Sequence, residues 1–195
     1  MWPWEHAAIA YLCWAALDRR GARPDDAAVV AVLVGSQFPD LVDKPLSWVF
    51  QVLPTGQSLA HSLLFALPVI GLVVAVARAS GRTAVGLAFG VGYLSHLPAD
   101  AVYPVVFGGE PRVSGLLYPL VEIEPYAVPG VGPRLAAMAE NVVPLLSSPL
   151  GILYVLADAA LVAAAFVVWY RNDCPGLRLV RRWVPGLEAR AERSR

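Results

Sequence analysis

The apolar positions of this chain fall into blocks that end at polar, glycine- or proline-rich breaks, and each block predicts a helix. Trp4 to Leu17 is the first, about fourteen residues long, too short to cross a hydrocarbon core of about 30 Å without tilt or local thinning. The polar turn at 18–26 carries a glycine stop at Gly21 and aspartates suited to capping the next helix. Ala27 to about Phe38 then predicts a second short helix that breaks at Pro39-Asp40, and the two read as an antiparallel hairpin. Leu41 to Gly56 reads as a loop with an interfacial helical turn around Trp48, Val49 and Phe50.

Ser58 to Ala79 has the length of a full span and contains Pro68, which membrane helices tolerate. After the turn at 78–82, Thr83 to about Tyr103 predicts a second span, with Gly86, Gly90 and Gly92 allowing close helix packing. These form a second hairpin. Residues 104–149 hold eight prolines, which exclude a long helix and predict an irregular lid with one short amphipathic helix over 134–146. Leu150 to Tyr170 is the cleanest span in the chain.

Composition turns this pattern into a class. The 195 residues are 57% hydrophobic and 15% charged, with a mean hydropathy of +0.58, too apolar for an ordinary soluble domain. The expectation is an all-α, polytopic helical membrane bundle of two hairpins plus a C-terminal transmembrane helix. Residues 1–170 form one membrane-embedded domain with its lid at 104–149, and 171–195 form a basic tail. Formal net charge is zero, so no nucleic-acid partner is expected. The distribution of charge is more informative: twelve of the fifteen Lys and Arg residues lie in the two tight turns and the tail, against Lys44, Arg112 and Arg134 elsewhere. That bias predicts a cytoplasmic tail, with the N-terminus and lid on the outer face. Met1 to His6 lacks the basic start of a cleavable signal peptide, and Cys13 and Cys174 have no metal-ligand spacing.

Against this background the ionisable residues stand out. His96 and Asp100 are four apart, on one face of a helix, and ionisable groups in a membrane segment cost on the order of 3 kcal/mol. Residues equidistant from a hairpin turn share a depth. That rule sets His61 level with Asp100 and His6 level with Asp40, so all three histidines gather at one end of the bundle with Asp40, Asp43 and Asp100. Singly each has a plain explanation: a helix-end histidine beside an acid, or a Pro-Asp turn. Together they suit a divalent metal, zinc or else manganese or iron. Six donors exceed one tetrahedral ion, so one or two ions are open, with Asp40 as a bridge and as part of the catalytic machinery. Asp43 could orient an imidazole or act as a general base. Asp158, mid-span in the last helix, is either functional or bonded to a neighbouring helix. Glu122 and Glu124 could reach the site from the lid. Ser62 and Ser95 lack an oxyanion motif and read as helix hydrogen-bonding residues.

Four segments carry a resemblance: His6, Pro39-Asp40-Leu41-Val42-Asp43-Lys44, Gly56-Gln57-Ser58-Leu59-Ala60-His61-Ser62 and Gly92 through Asp100. They resemble the LexA-regulated, membrane-bound metal-dependent hydrolase family, and their order is similar to that of the helical zinc-dependent phospholipases C. Departures are Asp40-x-x-Asp43 for Asp-x-Asp, a missing His-Arg, and Ala60 in place of Thr. The resemblance implies His6, Asp40, His61, His96 and Asp100 as metal ligands. The expected reaction is hydrolysis of a phosphoester by metal-activated water, on a lipid or lipid-linked substrate, because lateral entry from the bilayer suits a site at the outer leaflet. The alternative is a metal-binding membrane protein without catalysis, such as a transporter, which should carry polar groups through the full membrane depth.

Overall fold

The computed structural model describes residues 1–18, 25–128, 130–177 and 179. Arg19, Arg20 and Arg23 of the first turn and the basic part of the 171–195 tail lie outside the described residues. The elements are α1 (Pro3–Leu17), α2 (Asp26–Lys44), a π-helical turn at Pro45–Val49, α3 (Leu63–Ala79), α4 (Thr83–Val102), 3-10 turns at Tyr103–Phe107 and Ser114–Leu117, α5 (Val131–Ser147) and α6 (Pro149–Arg171). No strand occurs among them.

The centre is α4, which packs against α1, α2 and α3. Its glycines work on two faces. A Cβ at Gly92 would lie 2.1 Å from the Val32 carbonyl oxygen, and one at Gly35 of α2 would lie 2.2 Å from that of Phe89, so α2 and α4 cross backbone to backbone. Gly86 and Gly90 instead admit Val74 and Ile70 of α3. Phe38, Phe89 and Tyr93 fill the space beside this crossing as tilted and edge-on ring pairs. α6 packs against α1 and α5.

Three expectations change. α2 does not stop at Pro39 but runs on to Lys44. A helical proline forfeits one hydrogen bond and costs about 3 kcal/mol, which the long α2–α4 contact outweighs. α3 starts at Leu63 rather than at Ser58 and has 17 residues, about 25 Å at 1.5 Å per residue. The reason is local. Asp43 captures the amides of Ser58, Ala60 and His61, and the Ser62 hydroxyl then caps α3 by accepting from Leu64 N. Finally, α6 is the one helix among the described residues long and apolar enough to cross a membrane. α4 has the length but is less apolar, and much of its surface is buried by its three neighbours. Residues 108–128 are irregular apart from the turn at Ser114–Leu117, and the helix expected over 134–146 is longer, at Val131–Ser147, in spite of Pro133 and Pro144.

Candidate metal centre

One turn of α4 separates His96 from Asp100, and the next turn of α2 beyond Ser36 carries Asp40. The loop ahead of α3 delivers His61 between them. Asp40, His61, His96 and Asp100 are all buried, and each offers a ligand atom within 4.8 Å of the others. His61 Nε2 lies 3.8 Å from Asp40 Oδ1 and 3.5 Å from Asp100 Oδ2. The matching separations from His96 Nε2 are 4.0 and 3.7 Å. The level expected for His61 and Asp100 is therefore met.

The other ring nitrogens define the tautomers. His96 Nδ1 is 2.6 Å from the Ser36 carbonyl oxygen, an acceptor only, so Nδ1 carries the hydrogen. His61 Nδ1 likewise donates to Asp43 Oδ2 at 2.8 Å. Both Nε2 atoms then present lone pairs, and they face each other at 3.1 Å. Two lone pairs at that distance repel unless a cation sits with them, either a proton on one ring or a metal ion. Burial opposes charging the His61 ring, but hydrogen bonds to Asp100 and Asp43 outweigh it and raise its pKa to about 9.

Asp43 is fully buried. Its carboxylate accepts from Ser58 N and Ala60 N at 2.8 Å, His61 N at 3.2 Å and His61 Nδ1, so its contacts are those of a residue that orients an imidazole. Ala60, where the resembled motif has Thr, is buried, and its carbonyl accepts from Tyr93 at 2.7 Å.

His6 reaches the cluster from α1. It joins the layer of the other histidines against α4, because α1 packs on α4 as well as on α2. Its ring stacks on His96 with centroids 3.8 Å apart, and its Nε2 is 3.1 Å from Asp100 Oδ1. Neither ring nitrogen has a partner in hydrogen-bonding geometry, and neither does Asp40 Oδ1. Buried polar atoms without partners are rare. Here they surround two inward-facing imidazole lone pairs, which is the donor set that a divalent ion would satisfy.

Several contacts at the site escaped sequence reasoning. Lys44 Nζ binds Asp40 Oδ2 at 2.5 Å, a pair whose i,i+4 spacing is visible in the sequence. Gln57 Nε2 donates to Asp100 Oδ2 at 2.7 Å and the Met1 amine to Asp100 Oδ1 at 2.8 Å. No sequence signal marks the Ser36 carbonyl. Of the residues left open, Asp158 Oδ2 accepts from Trp4 Nε1 at 2.9 Å, a bond to a neighbouring helix. Ser62 donates to the Tyr118 carbonyl oxygen and Ser95 to that of Gly92, so both hydroxyls serve the backbone. Glu124 lines the cavity beside the site, and Glu122 does not.

Fold and site together define an all-helical protein with a buried His/Asp cluster able to hold a metal ion and one helix suited to a membrane. The chain belongs to the YdjM inner membrane protein family, whose model matches residues 1–173. That match takes in every residue of the cluster and all six α-helices. No curated protein and no solved structure matches the chain.

Proposed function

We propose that this protein is a membrane-bound metal-dependent hydrolase acting on a phosphoester, with the cluster at the outer face of the inner membrane and the basic tail in the cytoplasm. The observation that carries the reading is the pair of Nε2 lone pairs held 3.1 Å apart between Asp40 and Asp100. His61 and His96 would hold a divalent ion, zinc fitting the donors best, while Asp40 and Asp100 neutralise its charge. When bound, such an ion supplies polarisation of water and of phosphoryl oxygens. The chain supplies the rest. Asp43 and the Ser36 carbonyl fix both tautomers, and Asp40 Oδ1 is a buried acceptor without a donor, placed to bind the ion or to take a proton from attacking water. His6 extends the donor set toward a second ion on the Asp100 side.

Catalysis is favoured over simple metal storage by a cavity of about 280 Å³ that reaches His61 and Asp100, room for part of a substrate beside the ligands. A transport path finds less support, since Asp158 is bonded to Trp4.

The test is metal content of purified wild type against His61→Ala and His96→Ala, followed by turnover of phosphodiester and phospholipid substrates. Wild type should carry one or two ions and both variants should lose them. Equal metal content in all three would sink the site, and metal retained without turnover on any phosphoester would leave the non-enzymatic metal-binding reading.

A further inference from the structure

The cavity over the cluster has a floor, a wall and a rim of different chemistry. His61 and Asp100 form the floor, Leu97, Leu116 and Ile123 an apolar wall, and Arg112 of the lid stands at the rim. Arg112 is the cavity's only cationic side chain apart from the floor histidine. Its backbone is tied to α4, with its amide donating to the Ala101 carbonyl at 2.8 Å. Its Nη1 donates to Gln57 Oε1 at 3.3 Å, and Gln57 in turn reaches Asp100. One glutamine therefore connects the guanidinium to the metal-ligating carboxylate. Among the described residues Arg112 makes no ion pair, not even with Glu124 of the same cavity. An arginine held beside a cluster of acids yet paired with none of them has its charge available for a ligand.

We propose that Arg112 is the residue that recognises the anionic group of the substrate, and that the cavity takes the phosphoester headgroup of an amphiphile. This rests on the metal-dependent reading above. The planar guanidinium matches two oxygens of a phosphoryl group, and an ion held by the floor residues would supply positive charge for another. The volume of about 280 Å³ falls just short of whole small-molecule sites, which run from about 300 to 1,000 Å³. It admits a headgroup and the first carbons of a tail against Leu97, Leu116 and Ile123, with the remaining chain outside. A bilayer phospholipid and a soluble phosphodiester share this headgroup chemistry, and the wall of the cavity favours the lipid.

The test uses the full chain in detergent, loaded with Zn²⁺, with metal content measured before any ligand is added. Calorimetry then follows inorganic phosphate, glycerophosphocholine and a short-chain phosphatidylcholine. Arg112→Gln should weaken phosphate binding by about tenfold or more and Arg112→Lys by less, because a lone ammonium cannot bind bidentately. Both variants should keep the wild-type metal content. The phospholipid should bind at least about tenfold tighter than glycerophosphocholine, a gain that two buried methylenes would supply. Undiminished phosphate binding by Arg112→Gln overturns the role of Arg112, and equal affinity for the two diesters overturns the amphiphile. Failure of wild type to take up metal overturns the functional reading itself and is seen in the first measurement, apart from any effect of Arg112.

Discussion

α4 and α6 are alike as sequences: each has about twenty residues or more, is mostly apolar and carries an internal carboxylate. Their surroundings are opposite. α4 is wrapped by three helices and meets α2 at backbone contact, whereas in the apolar window of α6 only 11% of residues are buried. Asp100 of α4 is a buried member of a four-donor cluster, while Asp158 of α6 joins a tryptophan of α1 across a half-exposed interface. Length therefore does not by itself separate a lipid-facing helix from a core helix. Glycines placed where a neighbour's backbone passes do, because close approach is what lets three helices bring donors to one point.

The largest effect expected from this contrast is at Gly92. A methyl there would sit 2.1 Å from the Val32 carbonyl oxygen, a collision with backbone that only separation of α2 and α4 can relieve. Gly92→Ala should destabilise the protein by about 3 kcal/mol, read as a fall in thermal unfolding midpoint in detergent. It should also lower metal content, because the same crossing joins Asp40 and Ser36 to His96. A variant of wild-type stability would mean that the crossing is looser than the structure has it.

Asp43→Ala comes next. It leaves three backbone amides and the His61 ring without their shared acceptor, at a cost of about 2 kcal/mol in stability. Loss of such an orienting carboxylate should weaken metal affinity by about 10- to 100-fold, with the ligands themselves intact. Competition with a chelator measures it, and unchanged affinity would remove Asp43 from the site.

The same residue explains what could and could not be foreseen. His96 and Asp100 were legible because i,i+4 spacing on a helix fixes their proximity whatever the tertiary fold. His61 was legible because a tight turn makes depth along the α3–α4 hairpin a matter of counting. For His6 the layer was legible but the partner was not, because α1 is held by α4 and α6 as well as by α2 and its ring meets His96 of α4. The start of α3 was missed for a long-range reason. Leu59 and Ala60 continue the apolar run, and only Asp43, fifteen residues upstream of Ser58, takes their segment's amides out of the helix. The tertiary bonds of Asp158 and Gln57 have no local signature at all.

The smallest effect should come from α6. Asp158→Ala removes the acceptor of the Trp4 indole bond, which lies at an exposed interface and is worth about 1 kcal/mol or less in such surroundings. α1 and α6 keep two other ties, from the Tyr154 hydroxyl to Glu5 and from Asn172 Nδ2 to the Tyr11 hydroxyl. The unfolding midpoint should fall slightly, while metal content and phosphoester turnover stay at wild-type values. The comparison of the two helices turns on that result. If Asp158→Ala abolished turnover with metal still bound, α6 would belong to the chemistry after all, and a polar path through the membrane would replace a site confined to one end.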